Sequence, residues 1–166
     1  MDKATQSKER ISEALLHLLR TTPYTDITVQ SLADCAGVSR MAFYRNFDSK
    51  DEVIRYYLEK QTDRFLRESH ITEDTSFGPA YFRKLVEHLS NTREVGLLLI
   101  DTGLFDLLRA EFDRIYTVRA RDHRELLRST FIAGGICNVY YYWLVNGCRE
   151  APSELADELE RVLSRI

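Results

Sequence analysis

Gly37 stands between two short runs with helical spacing, and that placement constrains the N-terminal part of the chain more than any other feature. Before it, Val29, Leu32, Ala33 and Ala36 share one helical face, and Thr28 is placed to cap the start of the helix. Glycine enters the left-handed conformation without a steric penalty, so Gly37 ends that helix in a tight turn. Beyond it, Val38 can tuck into a core and Ser39 can cap a second helix. Phe43 and Phe47 then point inward one turn apart, while Arg40, Met41, Tyr44 and Asn46 project outward. A short helix with a basic, aromatic outer face, held by a fixed turn, suits a DNA major groove.

The flanks support this pair of helices. Ile11, Ala14, Leu15, Leu18 and Leu19 form one stripe of a preceding helix, stopped by Thr21, Thr22 and Pro23. Ser49 with Glu52 makes a capping box, Asp51 favours the positive end of the helix dipole, and Val53, Ile54, Tyr57, Leu58, Gln61 and Phe65 carry the next helix onward. The breaker-rich stretch ITEDTSFGP at 71–79 marks a domain junction. Helical stripes follow: Tyr81, Phe82, Leu85, Val86 and Leu89, then Val95 to Ile100, then Leu104, Leu108, Phe112 and Ile115. A long helix is expected from Asp122 to Asn146, ended by Gly147, and a last one from Pro152 through Leu155, Leu159 and Leu163.

No segment sustains the two-residue alternation of a strand, so the expected fold is all-α with about nine helices. It divides into a three-helix head over 1–50 with the helix-turn-helix at 28–47, a connecting helix over 51–70, and a helical dimerisation and regulatory core over 71–166. Gly134 and Gly135 interrupt the long helix, where each costs about 1 kcal/mol relative to alanine. Close approach of another helix would offset that cost, a local bend being the alternative. Tyr140, Tyr141, Tyr142 and Trp143 circle the same helix, more than one small bundle can hide. Gly134, Gly135, Tyr140 and Trp143 are therefore expected at a dimer interface.

Composition narrows the function classes. The formal net charge is −3, so bulk charge does not drive nucleic-acid binding, and a non-specific architectural DNA-binding protein is the weaker reading. Cys35, Cys137 and Cys148 form no CxxC pair and read as apolar packing in a reducing compartment. The polar start MDKATQSKER reads as no secretion signal, and the apolar run Phe131 to Val145 is short of the ~20 residues of a membrane span, so a cytoplasmic location is expected. His17, His70, His88 and His123 lack metal-ligand spacing, and no phosphate loop or nucleophile motif is present. No metal, no cofactor and no catalytic residue are expected, and the chain reads as a non-enzyme. The arginines at 109, 114, 119, 121, 124 and 128 interleave with Glu111, Asp113, Asp122 and Glu125 as on a solvated, salt-bridged face.

The run ITVQSLADCAGVSRMAFYRNFDSKDEV, from Ile27, joins a Thr helix start, an AGVSR turn, an FYRNF helix end and an SK pair followed by acidic residues. With these motifs the segment from Lys8 to Phe65 resembles the TetR family of bacterial transcriptional regulators. The run YYWLVNGCREAPSELADEL, from Tyr141, resembles the end of the C-terminal core in a smaller-core subgroup. The resemblance implies a homodimer joined through its last two long helices and bound to a near-palindromic, double-stranded operator. It further implies repression as the usual output, with control through the core by a small-molecule effector or a regulatory protein. Carried over by position, it puts Thr28, Ser39, Tyr44, Asn46 and Lys50 at phosphates, and Arg40, Met41 and Ala42 at base edges. The chemistry agrees: hydroxyl, amide and ammonium groups donate to phosphate oxygens, and a guanidinium can bond guanine at two acceptors. Asn46 stands where the family often has His, and Ala42 where a hydroxyl is frequent, leaving alanine to touch a thymine methyl.

Overall fold

The computed structural model describes residues 3–69, 79–118 and 120–163. These residues form α1 (Lys3–Leu19), α2 (Val29–Ala36), α3 (Arg40–Asn46), α4 (Lys50–Glu68), α5 (Pro79–Asn91), α6 (Arg93–Asp101), α7 (Phe105–Thr117), α8 (His123–Val145) and α9 (Pro152–Leu163), with a 3-10 turn at Tyr24–Asp26. Among the described residues there is no strand, so the all-α expectation holds. The junction expected at 71–79 lies outside the described residues except for Pro79, which opens α5.

Helix starts follow the capping chemistry of the sequence. The Ser31 amide donates to Thr28 Oγ1 at 3.0 Å and the Thr28 amide donates back to Ser31 Oγ at 3.0 Å, closing both ends of a reciprocal box at α2. Ser39 accepts from the Ala42 amide at 3.1 Å, Ser49 from Glu52 at 3.2 Å, and Asp122 from Glu125 at 2.8 Å. Each such cap is worth about 1 kcal/mol. The box expected between Ser49 and Glu52 closes one residue earlier, because the Glu52 carboxylate accepts from the Asp48 amide at 2.6 Å.

Two apolar clusters hold the helices together. The first lies in the head, where Ile11, Leu32, Phe43 and Val53 are fully buried, and it also takes in Leu99 of α6 and Leu107 of α7. The second gathers Phe82, Phe112, Ile136, Trp143 and Leu144, with α5 packed on α9 and α7 on α8. No helix among the described residues is long and apolar enough to cross a membrane.

Along α8 the structure corrects two expected interface residues. Tyr140 and Trp143 are 3% and 2% exposed and lie inside the second cluster. Their polar atoms are used there: the Tyr140 hydroxyl donates to the Leu89 carbonyl at 3.2 Å and the Trp143 indole N–H to the Glu150 carbonyl at 3.0 Å. Helical rotation turns the neighbouring Tyr142, 63% exposed, to the opposite side. Gly134 and Gly135 have no atom within 4 Å of where a Cβ would stand, so no helix among the described residues approaches them. Within the chain, a close approach at a glycine occurs at Gly96, where a Cβ would lie 2.7 Å from the Tyr140 hydroxyl and 2.8 Å from Leu144 Cδ1.

Cys35 is also placed differently from expectation. It is exposed, because it falls past the edge of the α2 face that α1 covers, whereas Cys137 is buried and Cys148 half-buried. The arginine-rich region does carry ion pairs, such as Arg109 with Asp106 at 3.6 Å. One acidic member is not solvated: Glu111 is 7% exposed and accepts two bonds of 2.7 Å from Arg114.

Candidate nucleic-acid interface

The turn between α2 and α3 is locked from both sides. Gly37 sits at φ +61°, its amide donates to the Asp34 carbonyl at 3.1 Å, and the Val38 amide reaches back to Ala33 at 3.0 Å. From α1, the Arg10 guanidinium donates to the Gly37 carbonyl at 2.9 Å. Arg10 was not singled out in the sequence, since a contact spanning 27 residues leaves no local pattern. Behind the turn, Phe43 and Phe47 are buried at 0% and 3% exposure, with ring centroids 6.1 Å apart. Burying each contributes about 1.5–3 kcal/mol and fixes which face of α3 turns outward.

That outer face carries Arg40, Met41, Tyr44 and Arg45, all exposed. Met41 is 64% and Tyr44 49% exposed, so both side chains are open to a partner at this face. The Arg40 guanidinium lies 5.6 Å from the Tyr44 ring centroid and 3.4 Å from its hydroxyl, so the two side chains are pre-arranged as a pair. Arg45 was missed by the sequence reading, although its position one turn after Met41 marks it. Ala42 and Asn46 lie half-buried on the flank, and the Asn46 amide donates to the Ala42 carbonyl at 2.6 Å.

Lys50 is placed less freely than a phosphate contact requires. Its ammonium donates to the carbonyls of Tyr24 and Ile27, each at 2.6 Å, and sits 4.2 Å from the Tyr24 ring centroid. The Tyr24 hydroxyl in turn bonds Asp51, which together with burial pushes that phenol well above its ordinary pKa. Lys50, Tyr24 and Asp51 thus tie the start of α4 to the segment that precedes α2. An ammonium has three N–H donors, so one remains after these two bonds. Thr28 and Ser39 are exposed at the starts of α2 and α3, their oxygens engaged in capping.

Comparisons with known proteins agree with this geometry. Residues 11–57 match the sequence model of the bacterial regulatory proteins, tetR family. The HTH-type transcriptional regulator AlkX of Mycobacterium tuberculosis is 28% identical over 74 residues, covering 45% of this chain and 35% of that protein. The nucleoid occlusion factor SlmA of Idiomarina loihiensis is 32% identical over 111 residues, covering 65% of this chain and 56% of that protein. The matches thus span from about a third to just over half of these relatives' own length. A TetR transcriptional regulator from Streptococcus agalactiae 2603V shares the fold, with a TM-score of 0.65 at 20% identity over 97% of this chain and 95% of that one. Residues 11–57 thus carry the sequence pattern of the bacterial regulatory proteins, tetR family, and the chain shares its all-α fold along almost its whole length with a solved TetR transcriptional regulator.

Proposed function

We propose that the protein is a homodimeric repressor that binds a near-palindromic operator and is released through its C-terminal core. The observation that carries this reading is the outer face of α3, where Arg40, Met41 and Tyr44 stand exposed beside a turn locked by Gly37. Arg40 is the base reader, Met41 and Ala42 make apolar contacts to base edges, and Tyr44 donates to a phosphate. Thr28, Ser39 and Asn46 flank it at the backbone, and Lys50 adds its remaining donor. Repression as the sign rests on family resemblance.

Dimerisation is supported by α8. Leu127, Phe131, Gly135, Asn138, Tyr142 and Val145 recur at helical spacing, and all are exposed. Phe131 and Tyr142 are each 63% exposed, and the glycines between them leave the helix surface flat enough for a second helix to lie close. A second copy on this stripe would place two α3 helices on one DNA duplex, doubling the contacts of a chain whose net charge supplies no attraction of its own.

The experiment is quantitative binding of the purified protein to DNA flanking its own gene. Loss of the Arg40 contact in Arg40→Ala should cost about 1–3 kcal/mol and relax preference at one base pair. Tyr44→Phe should weaken binding evenly across sequences. Absence of sequence-specific binding, or wild-type binding by both variants, would sink the proposal.

A further inference from the structure

At the start of α4 a cation stands where the helix dipole opposes it. Lys50 is the first residue of that helix, directly after the Ser49 cap, and the opening turn of a helix carries partial positive charge. The structure offsets this by turning the ammonium back onto the segment before α2. There the Tyr24 and Ile27 carbonyls accept from it at 2.6 Å each, and it lies over the Tyr24 ring at 4.2 Å from the centroid.

We propose that Tyr24 is a positioning residue for DNA binding: its ring, pinned through the hydroxyl by Asp51, holds the Lys50 ammonium in place for a backbone phosphate. The proposal rests on the assignment of Lys50 to the DNA backbone, and it adds the residue that prepares that contact.

Entropy gives the arrangement its effect. A lysine side chain that moves freely must be immobilised when a phosphate binds it, and that ordering subtracts from affinity. Lys50 is half-buried and already ordered by two carbonyls and a ring, so little of the loss remains for the binding step. Arg45 on α3 is the contrast: it is exposed and makes no hydrogen bond, ion pair or ring contact among the described residues.

Tyr24 contributes in three separable ways. Its carbonyl belongs to the backbone and survives any substitution that keeps the 3-10 turn Tyr24–Asp26. Its ring attracts the ammonium, and its hydroxyl donates to Asp51 on the next residue of α4. Burial, and then the bond to Asp51, raise the phenol well above its ordinary pKa, so the hydroxyl stays a donor at neutral pH. Tyr24→Phe therefore removes the pin alone, whereas Tyr24→Leu removes pin and ring together.

The test is a double-mutant cycle on the full-length protein, read by fluorescence anisotropy across a salt series. Two probes are used: DNA flanking its own gene and an unrelated duplex. Tyr24→Leu should weaken binding about fivefold for each bound head on both duplexes with the salt slope unchanged, and Tyr24→Phe about twofold. Lys50→Met should lower the slope of log affinity against log salt by about 0.9 for each bound head. In the Lys50→Met background Tyr24→Leu should change affinity by less than about 1.5-fold, whereas in an Arg45→Ala background it should keep its full effect. Tyr24→Met replaces Tyr24→Leu if the latter does not fold.

The inference is overturned by a folded Tyr24→Leu that binds as wild type, by equal losses with and without Lys50, by Tyr24→Phe as weak as Tyr24→Leu, or by an unchanged salt slope in Lys50→Met. Failure of both ringless variants to fold would also overturn it, by assigning the ring to stability alone. Coupling of Tyr24 to Lys50 without preference for the flanking DNA would remove the repressor proposal and leave this one standing. Preference without coupling would do the reverse, and no binding to either duplex would remove both.

Discussion

Replacing Gly37 with alanine perturbs two things that the structure separates. The first is the backbone: at φ +61° an alanine is strained by about 1–2 kcal/mol relative to glycine. The second is Arg10, whose Nη2 lies 2.4 Å from where the new Cβ would stand and which must therefore leave the Gly37 carbonyl. Arg10 is exposed and flexible, so the clash itself relaxes, and the lasting loss is one solvent-accessible hydrogen bond of about 0.5–1 kcal/mol. Gly37→Ala is then expected to cost about 2 kcal/mol in total. Urea unfolding followed by the fluorescence of Trp143, the single tryptophan, measures this directly. In an Arg10→Ala background the bond is already gone, so the same glycine substitution should cost only the backbone part, about 1–2 kcal/mol. Equal costs in both backgrounds would refute the Arg10 contribution, and a total below about 0.5 kcal/mol would refute the strained turn itself.

Other outcomes follow from particular side chains. Phe131→Glu should weaken self-association at least about thirtyfold in sedimentation equilibrium, as loss of a central interface residue does, while Trp143→Phe should lower stability without changing association. Burial against Phe65 lowers the His88 pKa, with Glu68 opposing and Arg64 adding, so the unfolded chain binds more protons as pH falls below its ordinary value of 6.5. Stability should therefore decline between about pH 7 and pH 5, and His88→Gln should flatten that slope in urea midpoints. A thiol reagent should label exposed Cys35 in the native protein. Cys137, which burial pushes up to about 11, should label only on unfolding, as mass spectrometry of the labelled peptides can read.

Much of this fold is written in local chemistry. The caps at Thr28, Ser39 and Asp122, the left-handed Gly37 and the limits of α8 and α9 each follow from side chains a few residues apart, and a reader of the sequence can find them. The inward Phe43 and Phe47 are legible for the same reason, because α3 has one apolar face. On α8 the rule fails: four consecutive aromatics leave no polar side to set the rotation, and only packing against α5 and α6 turns Tyr140 and Trp143 in and Tyr142 out. Contacts between distant segments leave no local mark either, which is why the bonds from Lys50 to Tyr24 and Ile27, the pairing of Arg10 with Gly37 and the buried Glu111 were not legible.

The presence of Leu99 and Leu107 in the head's apolar cluster bears on how such proteins can be recombined. Leu99 is fully buried there, so cutting the chain after α4 would open a hole among Ile11, Val53 and their neighbours. Losing a buried leucine from such a site costs about 2–5 kcal/mol, a large share of what a small helical unit has. A chimera that joins this head to a foreign core must therefore carry matching apolar groups at the α6–α7 corner. The seam between interchangeable halves runs through that corner as well as through the connecting helix.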